Sequence, residues 1–343
     1  MKDVVIIGGG PSGLAAGIMA AQKGLSVSIF EQKDGTIDKA CGEGLMPSAI
    51  QKLIEIGAEP QKSHPFQGIR YIEKNKIAQG NFPTGTGRGV RRLQLHKALH
   101  DRATSIGVEF IHQRVNDISQ TEDYVEVEKV RARYAIAADG LYSPIRKKLG
   151  LQLPPKRPIR LGLRRHYNIK PWSPFVEVYW SPHAEAYVTP VDEDLVGVAI
   201  LYNQKKSPFR KYDQLLQLFP NLLDRLPQPC TILRGSGPFE QRSKQPSAGR
   251  FLLIGDAAGY LDPLTGEGIR LGLASGSVAV DCIAQNNVQQ YNKKWKRVIR
   301  RYWWMTDGLL RLRRIPLLRK AMIPTLQACP WLFSRILGAL ANE

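Results

Sequence analysis

The sequence predicts an α/β fold: a parallel sheet with helices packed on it, interrupted by an inserted antiparallel sheet and followed by a helical tail. Three observations predict it. The chain opens on an apolar run, residues 4–7, that passes straight into a glycine turn and a helix. Two more short apolar strands, before Asp139 and before Gly255, each run into a Gly/Asp turn and a helix start far downstream. Between these, residues 158–204 alternate apolar and polar positions and are punctuated by Pro171, Pro182 and Asp192-Glu193-Asp194. Continuous apolar strands suit a sheet buried on both faces, and alternation suits one buried on a single face.

The first turn has the spacing G-x-G-x-x-G at Gly8, Gly10 and Gly13, with Ser12 inside it. The first glycine permits a tight turn, the second lets backbone approach a pyrophosphate, and the third lets helix pack close to strand. A pyrophosphate there would sit at the positive end of the following helix. The next strand, LSVSIFEQ, ends at Glu31 beside Gln32, and an acid at that distance accepts hydrogen bonds from ribose hydroxyls. A Rossmann-like dinucleotide site follows, although this motif alone does not separate FAD from NAD. Downstream stand Ala138-Asp139-Gly140 with Ser143 and Arg146, and Gly255-Asp256 followed by Pro263, Gly266, Gly268 and Ile269. Between them, RRLQLHKAL places Arg92 just ahead of an amphipathic helix. Each feature has a local reading too: Asp139 as a helix cap, Asp256 as a turn residue.

Taken in order, these four stretches resemble flavoproteins with the para-hydroxybenzoate hydroxylase fold, over roughly residues 3–285. The resemblance implies an FAD-binding domain in which Gly8, Gly10, Ser12, Gly13, Glu31 and Gln32 hold the ADP half. Arg92, Asp139 and Gly140 would contact the cofactor near its flavin and pyrophosphate. Gly255, Asp256, Pro263, Gly266, Gly268 and Ile269 would lie along the ribityl chain and ring. Cys41-Gly42 and the stretch GDAAGYLDPLTGEGI, with Gly259 where hydroxylases place a His, resemble the geranylgeranyl reductase branch. In EAYVTPV, Tyr187 and Pro190 match that branch's substrate-domain motif. The implied activity is reduction of C=C bonds in a prenyl or other hydrophobic substrate. The alternatives are a flavin monooxygenase and a non-redox cyclase or electron relay. Cys41, Glu43 and Tyr187 are the candidate catalytic residues: a thiol, an acid and a phenol able to line a cavity or move a proton. Cys41 also fits a small buried hydrophobe, and Glu43 an exposed helix-cap acid.

The expected organisation is an FAD-binding domain from residues 1–65, 90–157 and 246–288, a substrate domain from 66–89 and 158–245, and basic amphipathic helices over 289–343. GTGRG at 85–89 follows no apolar strand and reads as a loop, so a separate NADPH domain is not expected. The electron donor is either NAD(P)H bound transiently or a reduced protein carrier. Tyr179, Trp180 and Tyr187 are candidate substrate-facing aromatics.

The chain has 343 residues and a formal charge of +19, and residues 291–343 hold 12 Lys/Arg against 2 Asp/Glu. There Leu309, Leu312, Ile315 and Leu318 recur near helical spacing, while Pro316, Pro324 and Pro330 should break the stretch into short helices. With Trp303, Trp304 and Trp331, this tail suits either an anionic membrane interface or a cap with a solvated basic face. No nucleic-acid module accompanies the charge, so nucleic acid is not expected as a partner. No run of eighteen apolar residues and no leader are visible, so the expectation is cytoplasmic, with peripheral membrane association open. Cys41, Cys230, Cys282 and Cys329 have no disulfide or metal-ligand spacing and read as free thiols.

Overall fold

The computed structural model describes residues 1–341. The opening strand, Lys2–Ile7, lies at the centre of the first sheet, paired in parallel with Val27–Phe30 on one side and Val130–Ala137 on the other. Glu109–Ile111 and Phe251–Leu253 extend the parallel array outward. Antiparallel segments finish it: Ser247–Ala248 at one edge, and Val125–Val127 with Ile118–Gln120 beside Val130–Ala137. Val4, Val5 and Ile6 are fully buried, as their unbroken apolar run requires. Helix Pro11–Gln22 packs directly on helix Gly268–Ala284. Their approach is so close that a Cβ on Gly272 would fall 2.2 Å from the Ser12 hydroxyl.

The inserted sheet has seven strands in the order Arg234–Ser236, Arg160–Asn168, Leu195–Asn203, Ala184–Asp192, Phe175–Trp180, Gly68–Glu73 and Lys76–Asn81. It is mixed rather than purely antiparallel, because Gly68–Glu73 and Phe175–Trp180 run parallel. These two strands come from separate excursions of the chain, so no hairpin turn forces them to oppose each other. Residues 87–89, expected to be loop, form a strand between Gly44–Leu45 and His64–Phe66. Three glycine-rich residues carry no period-2 signal; the strand exists because partners lie on both sides. Its glycines are required by contact, since a Cβ on Gly89 would lie 1.6 Å from the Pro190 carbonyl oxygen.

The tail forms helices Tyr291–Arg314, Pro316–Ala328 and Pro330–Ala341. Pro316 and Pro330 each begin a helix, where their missing N–H is not needed. Pro324 does not break the chain but lies inside Pro316–Ala328. Nor does the expected leucine stripe form one buried face: Leu309 and Leu312 pack on the core, but Ile315 and Leu318 are exposed because the helix ends at Arg314. The inner side of the tail joins the second hydrophobic core through Tyr302, Leu310, Ile323, Phe333 and Leu337. No described helix is long and apolar enough to cross a membrane.

Candidate active site

Between the two sheets lies a cavity of about 620 Å³. Its wall brings together Gly10, Ser12, Cys41, Gly42, Glu43, Arg92, Asp139, Gly140, Tyr187, Asp256, Pro263, Gly266, Gly268 and Ile269, which the sequence scatters over 260 positions. Gly8, Gly13, Glu31, Gln32 and Gly255 lie off this wall. Gly8 takes a φ of +109°, and a Cβ there would meet the Ala138 carbonyl at 2.5 Å. A Cβ on Gly13 would sit 1.9 Å from the Gly8 carbonyl oxygen, so this glycine is demanded by packing. Beside Gly10, by contrast, no atom lies within 4 Å of a built Cβ: the turn faces open space. Glu31 accepts the Gly9 N–H at 2.9 Å and so braces the same turn, while Gln32 is exposed beyond it. Gly255 is pressed against Ser12.

Two buried groups behind the turn have roles that the sequence reading did not assign. His96 donates from Nε2 to the Gly9 carbonyl at 3.0 Å, and burial holds its pKa down to about 4, so it is neutral near pH 7. Arg146, fully buried, donates to the Asp256 and Ala257 carbonyls at 3.2 and 2.9 Å and to the Leu141 carbonyl at 3.0 Å. It therefore clamps the two Gly/Asp turns together. Asp139 accepts from the Ser143 hydroxyl at 2.6 Å and the Ile145 N–H at 3.0 Å, the helix-capping geometry, while also reaching the cavity wall. Burial raises its pKa. Burial likewise pushes the Asp256 carboxyl up to about 6.

Glu43 is the best-fixed acid of the cavity. It is 3% exposed, and its backbone takes a left-handed φ of +60° between two glycines. Such a conformation costs a non-glycine residue about 1–3 kcal/mol and persists only where the surroundings enforce it. Here they do: Oε1 accepts the Arg92 N–H at 2.8 Å, and Oε2 meets His166 Nε2 at 2.6 Å. Arg164 bonds His166 Nδ1 at 3.0 Å and Asp38 at 2.5 Å, extending the network. Burial lowers the His166 pKa against the pull of Glu43. On strand Arg160–Asn168 the buried Arg160, Gly162, Arg164 and His166 share one face at period 2, with Tyr167 buried on the other. Charge on an inward face marks a site.

Cys41 Sγ accepts the Glu43 N–H at 3.3 Å. Burial, with the Glu43 charge adding to it, pushes the thiol pKa up, so Cys41 stays protonated. Thr189 donates to the Gly42 carbonyl at 2.8 Å and fixes this corner to the inserted sheet. Tyr187 reaches the wall and donates its hydroxyl to the Leu264 carbonyl at 3.1 Å. Tyr179 and Trp180 do not line the cavity. Tyr179 sits out of step with Tyr187, across from Ala186 in the register, so it packs on the opposite face and donates to Glu177 at 2.8 Å. Trp180 lies further along, packed under Arg313. Hydrocarbon covers one stretch of the wall, from Phe66, Ile69, Val176, Val178, Leu201, Phe239 and, from the last helix, Leu340, while Asp38, Lys39, Arg164 and Arg234 add charge elsewhere on it.

The polar end fits a dinucleotide cofactor. The Gly10 turn is open toward it, and Arg92, on the wall and 4% exposed, has a buried Nη1 with no hydrogen-bond partner. Among the described residues no His, Cys, Asp or Glu cluster could hold a metal.

Comparison with known proteins agrees. The chain is 25% identical over 311 residues to the menaquinone reductase of Mycobacterium tuberculosis, covering 82% of this chain and 76% of that protein. It is 28% identical over 337 residues to digeranylgeranylglycerophospholipid reductase 1 of Methanopyrus kandleri, covering 87% of each. Its fold is similar to that of a flavoprotein/dehydrogenase from Cytophaga hutchinsonii, with a TM-score of 0.84 at 20% identity over 99% of this chain and 92% of the other. Residues 1–284 match the model of the FAD binding domain family, so the chain belongs to that family and is an FAD-dependent oxidoreductase.

Proposed function

We propose that the protein reduces carbon–carbon double bonds of a hydrophobic, prenyl-type substrate. The observation that carries this reading is the junction inside the cavity. The Cys41-Gly42-Glu43 corner stands between a polar, glycine-turned end and a wall of Phe66, Val176, Val178, Leu201, Phe239 and Leu340. FAD, when bound and reduced, supplies the hydride equivalent that such a bond needs. Gly10, Ser12, Arg92, Asp139, Gly140, Asp256 and Gly266–Gly268 would hold it, with Arg92 Nη1 finding there the partner it lacks. The apolar wall orients the alkene and excludes water. A proton must reach the second carbon, and Cys41 is the group placed to give it: burial keeps the thiol protonated, its Sγ accepts from the Glu43 N–H and leaves the S–H free, and the thiolate left behind is reprotonated from solvent. Both Glu43 oxygens are engaged, so Glu43 acts as a positioning residue. Tyr187, tied to Leu264, shapes the wall.

The test is anaerobic. The FAD-loaded protein is reduced with dithionite, freed of excess reductant, and mixed under nitrogen with a geranylgeranyl lipid that carries no quinone. Return of the oxidised flavin spectrum on substrate addition is expected; a spectrum that returns only on admitting air contradicts the proposal.

An apolar substrate also suits a membrane-facing tail. Trp304 and Leu317 are each 80% exposed and Trp331 is 65% exposed, among the exposed cations Arg311, Arg314 and Lys320. Trp304→Ser with Leu317→Ser should cut co-sedimentation with phosphatidylglycerol vesicles several-fold; equal co-sedimentation leaves the tail as a cap.

A further inference from the structure

A second cavity, about 550 Å³, opens between the inserted sheet and the junction of the first two tail helices. It continues the same face of the sheet that forms the first cavity. Gly162 and Leu201 line the first, and Arg160 and Asn203, two residues away on the same strands, line the second. Phe239 and Leu264 belong to one wall, Glu240 and Asp262 to the other. The divider is the ion pair of Arg160 with Asp262 at 2.7 Å.

The second cavity's wall is cationic: Arg157, Arg160, Lys206, Arg313, Arg314 and Arg319, against the carboxylates Glu240 and Asp262. Four of these cations are committed. Arg157 pairs with Glu240 and Asp307, Arg160 with Asp262 and Glu185, Arg313 with Glu185, and Arg319 with Glu73. Lys206 and Arg314, both exposed at the rim, have no carboxylate partner among the described residues. At depth, the Arg313 side chain is only 10% exposed, yet its Nε is buried without any hydrogen-bond partner. A buried guanidinium N–H left unpaired costs about 1–3 kcal/mol. It is the donor that a planar or tetrahedral oxyanion satisfies best, with rim charges to draw the anion in.

We propose that this pocket binds a phosphate or diphosphate group, held at depth by Arg313 and at the rim by Lys206 and Arg314. The group belongs either to a lipid headgroup or to a soluble phosphate ester. The site stands apart from the redox reading: it shares no catalytic residue with it.

Isothermal titration of the FAD-loaded protein with sodium pyrophosphate, at ionic strength fixed with sodium chloride, tests it. One saturable site is expected, weakened at least tenfold in Lys206→Glu/Arg314→Glu with FAD content unchanged. These rim positions are exposed, so the variant folds even if Arg313→Gln, which removes one of the two arginines paired with buried Glu185, does not. Pyrophosphate that also displaces the protein from phosphatidic acid vesicles identifies a headgroup; pyrophosphate that binds without displacing it identifies a soluble ester. The absence of saturable pyrophosphate binding, or binding equal in the rim variant, overturns the proposal.

Discussion

At one end of the central cavity the wall is backbone and charge: Gly10, Ser12, Arg92, Asp139 and Asp256. At the other it is hydrocarbon from the inserted sheet and the last helix: Phe66, Val176, Val178, Leu201 and Leu340. The first end is built from short local motifs whose glycines have no substitutes. The second is built from strands that meet only in three dimensions. The polar end should therefore be brittle toward single substitutions, and the apolar end should respond through substrate rather than through cofactor.

The contrast breaks most sharply at two glycines three residues apart. Gly13→Val drives a side chain into the Gly8 carbonyl, so no soluble, folded protein is expected on expression. Gly10→Val meets no protein atom, and as a helix N-cap change it costs about 1 kcal/mol, too little to unfold the protein. It should give a folded protein by circular dichroism that has lost its visible flavin absorbance. A flavin-loaded Gly10→Val variant would remove the turn from the cofactor site.

Where the two ends meet, Glu43 is buried with His166. Removing one partner of a buried pair costs about 3–5 kcal/mol. Glu43→Ala should show that loss in denaturant unfolding, and Glu43→Gln, which keeps the Arg92 N–H bond, should lose less. Cys41→Ala should retain FAD and stability but slow single-turnover reduction about 10²-fold or more, the contribution of a positioned proton donor. Unchanged turnover would return Cys41 to packing.

The smallest effect is pH-dependent. The Asp256 carboxyl is raised from 3.8 to about 6 by burial, so folding favours its protonated form. Its cost is absent below pH about 4 and grows as pH rises through 6, to about 1–3 kcal/mol. Asp256→Asn should therefore stabilise the FAD-free protein at pH 8 and leave it unchanged at pH 4, read from thermal midpoints at the two pH values.

The difference between the ends is also what made one legible and the other not. Gly8, Gly10 and Gly13 lie in one contiguous strand–turn–helix unit, so their spacing placed them, while Asp139 and Asp256 stand in similar units that the family resemblance singled out. Gly87–Gly89 became a strand only through partners 20 to 45 residues away, which no local pattern carries. His96 and Arg146 act through carbonyl groups of distant turns, and a carbonyl leaves no mark in the sequence. Arg164 and His166 share one face in the alternation of RLGLRRHYN, but that pattern does not tell that the charged face turns inward, and their partner Glu43 lies 123 residues from His166. Tyr179 and Trp180 were aromatic and near, and the strand's alternation turned Tyr179 away.

The most direct measurement is the mass of the product formed by the reduced, FAD-loaded protein with a prenyl lipid under nitrogen, sampled before and after air is admitted. A product two hydrogens heavier, complete before air, is the predicted result. A product that forms only after air and carries an added oxygen would contradict the reductase.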